Sequence, residues 1–275
     1  MMRFFLFILL MLFVSCTNDD VITEEYGEEQ LSLSKDYIIA HRGFWNKDVP
    51  QNSRESLINA LALNIYGTEF DVHQTKDGIL VINHDATFNG LNISESTYLE
   101  LNRYSLSNGE SLPCLENFLE IRKNSRSDVR LIIELKSCNV TNLVDLVDKY
   151  GIQEQVEYIS FSKNYCQQLV NKGYGFKTYY LGGNITPLEI KKLGIGGIDY
   201  SVNTYDNNPT YITDAKANGL KVIVWTVNDE NLIMDYISKG VIVTTDYPDQ
   251  LSRKESIAMA KIMEQFTNRI NLMEI

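Results

Sequence analysis

"EFDVHQTKDGILVINHD", residues 69–85, decides both the architecture and the place to look for chemistry. Little more than "QTKDG" separates the runs "TEFDV" (68–72) and "ILVINH" (79–84). Two parallel strands need a crossover of about a dozen residues or more, whereas "KDG" is hairpin-turn chemistry. The second run therefore reads as the returning arm of a hairpin. Along the first arm, Glu69, Asp71 and His73 share one face and Phe70 and Val72 the other, because alternate strand residues point the same way. Two neighbouring carboxylates on one face repel unless a proton or a cation sits between them. A positive partner is expected there.

Working outward, β-branched or aromatic runs recur: "YIIAH" (37–41), "RLIIEL" (130–135), "VEYISF" (156–161), "KTYYL" (177–181), "GIDYSV" (197–202), "KVIVWTV" (221–227) and "VIVTT" (241–245). Segments of helical character lie between them. One is "NSRESLINALALNIY" from residue 52, with Asn52 as a candidate N-cap and Glu55 three residues on. Alternating strands and helices predict a parallel sheet. With the hairpin arm at 79–84 set aside, the nine candidate strands become eight, the number a (β/α)₈ TIM barrel needs. An open doubly wound sheet lacks support, since no Gly-rich dinucleotide fingerprint occurs. Residues 86–129 exceed one crossover helix and predict a small insertion after the β2 hairpin. There is no internal repeat or low-complexity tract.

The chain opens with "MMRFFLFILLMLFVSC", one basic residue before an apolar run too short to span a bilayer, laid out like a secretory signal. Cys16 after Val14 and Ser15 resembles a bacterial lipobox, with Phe13 where an aliphatic residue is more usual. Residues 1–16 then read as a lipoprotein signal peptide, and Cys16 as the lipidated first residue of an exported protein anchored to the bacterial cell envelope. An ordinary or uncleaved signal peptide is the alternative. Residues 17–36 are polar and acidic without periodicity, as a flexible tether would be. Acidic residues close behind the cysteine resemble the signal by which some Gram-negative bacteria place lipoproteins on the outer face of the outer membrane. Residues 37–275 form the expected barrel domain.

Of 275 residues, 25 are Lys or Arg and 36 Asp or Glu; without residues 1–16, which hold one Arg and no acid, 24 face 36, a formal charge of −12. This balance argues against nucleic acid or a bare anionic membrane as partner. An anionic substrate would need a local positive site. Cys114, Cys138 and Cys166 suffice for one disulfide at most.

In TIM barrels the chemistry sits at the C-terminal strand ends. His41 and Arg42 end the first strand, Glu69 and Asp71 the second, and "IIELK" puts Glu134 and Lys136 on one face of the third. Trp225 lies near the end of the seventh, and the hairpin delivers His84 and Asp85 to the same mouth. Three carboxylates without a thiolate suit a hard divalent cation, Mg²⁺, Ca²⁺ or Mn²⁺. The competing expectation is that Glu69 and Glu134 merely form ion pairs with Arg42 and Lys136. Two of the three histidines at one mouth could serve as base and acid near neutral pH, whereas His73 is expected above the mouth in a structural role.

The ordered motifs "AHRG" (40–43), "PQNS" (50–53), "EFDV" (69–72), "TKDG" (75–78), "NHD" (83–85), "ELK" (134–136), "WTVN" (225–228) and "TDYP" (245–248) resemble the glycerophosphodiester phosphodiesterase family. The resemblance implies a TIM barrel and a metal-dependent phosphodiester hydrolase releasing glycerol 3-phosphate and an alcohol. It implies His41 and His84 as the acid/base pair, and Glu69, Asp71 and Glu134 as ligands of one divalent metal. Arg42 and Lys136 match phosphate-holding positions, and Trp225 one that lines the substrate pocket. In this family the nucleophile is commonly the neighbouring glycerol hydroxyl, giving a cyclic phosphate that water opens. The family's usual "PENT" or "PENS" is "PQNS" here, so Gln51 replaces a Glu.

Three alternatives stay open at this point. A glycoside hydrolase could use Glu69 and Glu134 without metal but leaves the histidines idle. A phospholipase D-type enzyme would share the constellation and take lipid diesters. A binding lipoprotein would be expected to have lost part of the site.

Overall fold

A computed structural model of the chain describes residues 35–249; the signal peptide expected at 1–16, the tether expected at 17–36 except its last two residues, and residues 250–275 lie outside that range. After a short 3₁₀ turn at Lys35–Tyr37, strands β1 (Ile38–Ala40), β2 (Gly67–Gln74), β6 (Arg130–Ser137), β7 (Val156–Ser160), β8 (Thr178–Tyr180), β9 (Gly197–Ser201), β10 (Lys221–Trp225) and β11 (Ile242–Thr245) pair in parallel, each with its neighbour in this order. Pairing of β1 with β2 (Ile39 opposite Gly67) and with β11 (Ile38 opposite Val243) closes the barrel. The eight strands are those expected from the sequence.

The hairpin is present as expected. Strand β3 (Leu80–Ile82) runs antiparallel to β2, with Val72 opposite Ile82 and Gln74 opposite Leu80. It joins no second barrel strand, so it adds an arm above the mouth without breaking closure. The insertion follows, with a two-stranded ribbon, β4 (Thr87–Phe88) and β5 (Leu91–Asn92), and a short helix at Tyr98–Leu101. Val81, Phe88, Ile93, Leu101 and Leu112 give it a small core of its own. The helix Leu115–Asn124 is the true crossover to β6, and its Phe118 meets Phe70, on the outward face of β2, with ring centroids 4.7 Å apart.

Two apolar layers hold the barrel. The outer one lies between strands and helices, and the inner one comprises Ile39, Ile132, Ile159, Tyr179, Leu181, Ile223 and Ile242. Below the inner layer, Glu157 accepts hydrogen bonds from the Tyr66 hydroxyl (2.8 and 2.9 Å) and the Lys221 ammonium (2.8 Å), which plugs the N-terminal end with satisfied polar groups. Gly197 is required there, since a Cβ would sit 2.4 Å from the Lys221 carbonyl oxygen. Conserving charge at this end serves stability, because the chemistry of such barrels lies at the other.

One local expectation fails. The N-cap of the first helix, Arg54–Leu61, is Ser53, whose hydroxyl accepts from the Ser56 amide in a capping box completed by Ser56 rather than by Glu55. Asn52 instead adopts a left-handed backbone (φ +57°), and its side chain leaves the helix for Asp71. Among the described residues Cys114, Cys138 and Cys166 are free, the last two being buried.

Candidate active site

The mouth is built from the segments that leave the C-terminal ends of the strands. Directly after β1, Arg42 and Gly43 both take left-handed backbone conformations, φ +57° and +83°. For Arg42 that conformation costs about 1–2 kcal/mol. It turns the Arg42 amide onto Glu69 Oε2 (2.9 Å) while the Gly43 amide meets the Glu69 carbonyl oxygen (3.2 Å). Gly43 is close-packed as well as left-handed: a Cβ would lie 2.4 Å from Ser56 Oγ. The "HRG" turn thus binds the start of the first loop to the second strand.

The ligand oxygens that Glu69, Asp71 and Glu134 can offer lie within 4.8 Å of one another, and all three residues are buried. Strand register explains the grouping, because Asp71 stands opposite Glu134 across the β2–β6 pair. Cations border the trio. Lys136 Nζ lies 2.7 Å from Glu134 and 3.2 Å from Asp71, and Arg42 Nε 3.6 Å from Asp71. Ion pairing of the kind expected from the sequence therefore does occur, but it is incomplete. Glu69 Oε1 is buried with no hydrogen-bond partner among the described residues. Burial, then the charges of Asp71 and Glu134, pushes the Glu69 carboxyl well above its ordinary range. Glu134 is pushed up to about 7, chiefly by burial, against the pull of Lys136. A set of three buried oxygen donors, one atom unserved and two carboxyls driven toward protonation, fits a hard divalent cation.

Each histidine at the mouth is oriented by a carboxylate. His41 Nδ1 donates to Asp246 Oδ1 (2.7 Å), and Asn228 Nδ2 donates to the other oxygen of Asp246 (2.7 Å). Burial would raise the Asp246 carboxyl, but the hydrogen bonds from His41 and Asn228 outweigh it and hold the group below its usual range. His84 Nδ1 is 2.8 Å from Asp85 Oδ1. In both rings Nε2 remains to accept or deliver a proton, the tautomer a general base requires. His73 is buried, and its Nε2 donates to the His84 main-chain carbonyl (3.3 Å), so it steadies the loop that carries His84. Burial holds the His73 imidazole toward its neutral form.

These groups surround one cavity of about 260 Å³. His41, Arg42, Glu69, His84, Glu134 and Lys136 line its polar side, and Ile159, Phe161, Leu181 and Trp225 its apolar side. Asp71 stands behind the wall, buried, with Asn52 Nδ2 donating to its Oδ2 (2.7 Å). Trp225 stacks edge-on against Phe161, their centroids 5.6 Å apart. A second, smaller polar hollow of about 180 Å³ shares Arg42 and His84 and includes Gln51, whose Oε1 accepts from Arg42 Nη1 (2.6 Å). Of the expected site residues, His41, Arg42, Glu69, His84, Glu134, Lys136 and Trp225 line the cavity, and Asp71 completes the carboxylate trio behind its wall. Sequence reasoning assigned no role to Phe161, Asp199, Asn228 or Asp246, and read Asn52 only as a candidate N-cap. Asn228 and Asp246 were within reach, as they stand inside the motifs "WTVN" and "TDYP".

A sequence profile described as the glycerophosphoryl diester phosphodiesterase family matches residues 41–250. A curated relative, the glycerophosphodiester phosphodiesterase of Caldanaerobacter subterraneus subsp. tengcongensis, is 28% identical over 240 residues, 79% of this chain and 96% of that protein. Among solved structures, a glycerophosphodiester phosphodiesterase from Parabacteroides distasonis is 37% identical with a TM-score of 0.76, over 82% of this chain and 99% of that one. An Oleispira antarctica phosphodiesterase, solved with its product sn-glycerol-3-phosphate, shares the fold at 24% identity and a TM-score of 0.68, over 81% of this chain and 98% of its own. Since the profile spans the barrel from the first histidine of the mouth to beyond its last strand, the chain belongs to the glycerophosphoryl diester phosphodiesterase family and is an enzyme of phosphodiester hydrolysis.

Proposed function

We propose that this chain hydrolyses glycerophosphodiesters to glycerol 3-phosphate and an alcohol, using His41 and His84 as the acid/base pair beside one divalent cation. The observation that carries the reading is the unserved, buried Glu69 Oε1 within a carboxylate trio whose cavity also holds two cationic side chains and two carboxylate-oriented imidazoles. Glu69, Asp71 and Glu134 would hold the cation, one of Mg²⁺, Ca²⁺ and Mn²⁺. When bound it supplies positive charge that stabilises the transition-state oxygens.

The chain's own groups account for the remaining steps. Arg42 and Lys136 hold the anionic phosphate, supplying locally the positive charge that the acidic surface lacks. One imidazole takes the proton from the attacking hydroxyl through Nε2 while the other gives a proton to the departing alkoxide. Asp246 and Asp85 keep Nδ1 of each ring occupied, so that Nε2 is the reactive nitrogen. Trp225 and Phe161 give the cavity wall an apolar surface against which the substrate's carbon chain can pack. A glycoside hydrolase is not favoured, because it would use Glu69 and Glu134 alone and leave idle the two imidazoles, His41 and His84, that line the same cavity. The test is release of glycerol 3-phosphate from a panel of glycerophosphodiesters, with EDTA and with Mg²⁺, Ca²⁺ or Mn²⁺ restored. Metal-dependent turnover lost in His41→Ala and Glu69→Ala supports the reading; turnover unaffected by EDTA refutes the metal, and folded protein inactive with every metal refutes the substrate class.

The signal-like start of the sequence supports a further part of the reading, that this activity works at the cell envelope with a lipid anchor on Cys16. Radiolabelled palmitate should label the wild-type chain and not Cys16→Ser, and equal labelling would dismiss the anchor.

A further inference from the structure

The floor of the cavity holds a carboxyl that the mechanism above does not use. Asp199 lies on β9 with 1% of its surface exposed, in register with Ile223 of β10. It lines the cavity together with Leu181, Trp225 and the charged groups of the mouth. Its Oδ1 has no hydrogen-bond partner among the described residues. Trp225 Nε1 does not serve it, because it donates to the Asp199 main-chain carbonyl (3.0 Å) and an indole has only that one donor. Nor does Asp199 belong to the carboxylate trio that groups around Glu69. An unpartnered carboxyl among isoleucines works against folding, so its retention calls for a partner that arrives with the substrate.

We infer that Asp199 is a specificity-determining residue that hydrogen-bonds the terminal hydroxyl of the substrate's glycerol half, the hydroxyl not adjacent to the phosphate. The inference rests on the phosphodiesterase reading above. A phosphate held by Arg42 and Lys136 leaves a three-carbon chain to cross the cavity toward β9, where the apolar walls meet its C–H groups and its far hydroxyl would otherwise be buried unpaired. Burial, with the charge of Glu134, favours the protonated carboxyl, which can both donate and accept.

The test is a cycle between enzyme and substrate on the metal-supplemented chain. Wild type, Asp199→Ala and Asp199→Asn are assayed on glycerophosphocholine and on its analogue with propane-1,2-diol in place of glycerol, which keeps the hydroxyl next to the phosphate. In the wild type, loss of the terminal hydroxyl should lower kcat/KM about 10- to 100-fold. Asp199→Ala should lose a similar factor on glycerophosphocholine and little more on the analogue, while Asp199→Asn, which still donates and accepts, should keep part of the discrimination. A loss in Asp199→Ala equal on both substrates would overturn the assignment, as would a changed preference between choline and ethanolamine diesters with the hydroxyl discrimination intact. If variant turnover is too slow, calorimetric binding of glycerol 3-phosphate against propane-1,2-diol 1-phosphate completes the same cycle. Because the unpaired carboxyl opposes folding, Asp199→Asn should melt no lower than wild type. Wild-type turnover with no discrimination refutes this role alone, whereas wild type inactive on every diester refutes the phosphodiesterase reading and this role with it.

Discussion

Without a cation, the carboxylate trio should make the protein less stable as pH rises, and a bound cation should abolish that slope. The magnitude comes from Glu134, displaced from 4.5 to about 7 by burial and by Asp71, against the attraction of Lys136. The folded state holds this proton more tightly than the unfolded chain, so the contribution is fully present below pH 4.5 and is lost as pH passes through 7. At about 1.4 kcal/mol per pH unit the loss is about 3 kcal/mol, and Glu69 acts in the same direction. His73 acts oppositely, since burial lowers it and its contribution grows as pH climbs through 6.5. Comparison with Glu134→Gln, which leaves His73 in place, isolates the carboxylate. Urea unfolding followed by tryptophan fluorescence at pH 5, 6.5 and 8, in EDTA and in millimolar Mg²⁺ or Ca²⁺, measures the effect. Wild type in EDTA should lose about 2.5 kcal/mol relative to Glu134→Gln between pH 5 and 8, since part of the loss falls below pH 5, and saturating cation at 100 times its Kd should restore about 2.7 kcal/mol. Parallel curves for the two proteins in EDTA would refute the reasoning.

The mouth supports further expectations. Asp246→Asn should lower kcat about 10²- to 10⁴-fold with KM little changed, because His41 loses the group that fixes its tautomer; a pure KM effect in steady-state kinetics would contradict this. Asn52→Ala removes two hydrogen bonds from Asp71 and a residue suited to φ +57°, so metal affinity should fall about 10- to 100-fold, and calorimetric titration showing none would argue against that support. Gln51→Glu would put a charge beside Arg42 Nη1 and compete with phosphate, raising KM several-fold and leaving kcat near wild type. Gly43→Ala meets both a positive φ and Ser56, and thermal unfolding should show a loss of about 2–4 kcal/mol.

Local pattern explains how much was legible. The hairpin was readable because the two arms are separated by too few residues for a crossover, which fixed the strand count at eight. The paired carboxylates were readable because a strand alternates its faces regardless of what surrounds it. The misplaced N-cap shows where local rules run short. Asn52 and Ser53 are both good caps, and what separates them is Asp71, 19 positions away, which takes the Asn52 side chain. Asp199 stands in "GIDYSV", whose alternation is legible, yet both faces of a barrel strand are apolar and nothing in the six residues says which points inward.

By itself the sequence determined the order of elements, the closed parallel barrel, the carboxylate face and the family, since each follows from spacing along the chain or from short ordered motifs. Tertiary structure alone decided which groups serve one another. Asp246 meets His41 across 205 residues, Glu69 keeps one oxygen unpaired, and Asp199 faces the cavity without a partner. Such pairings depend on strand register around a closed ring, where the first and last strands become neighbours, and no periodicity along the chain records that closure.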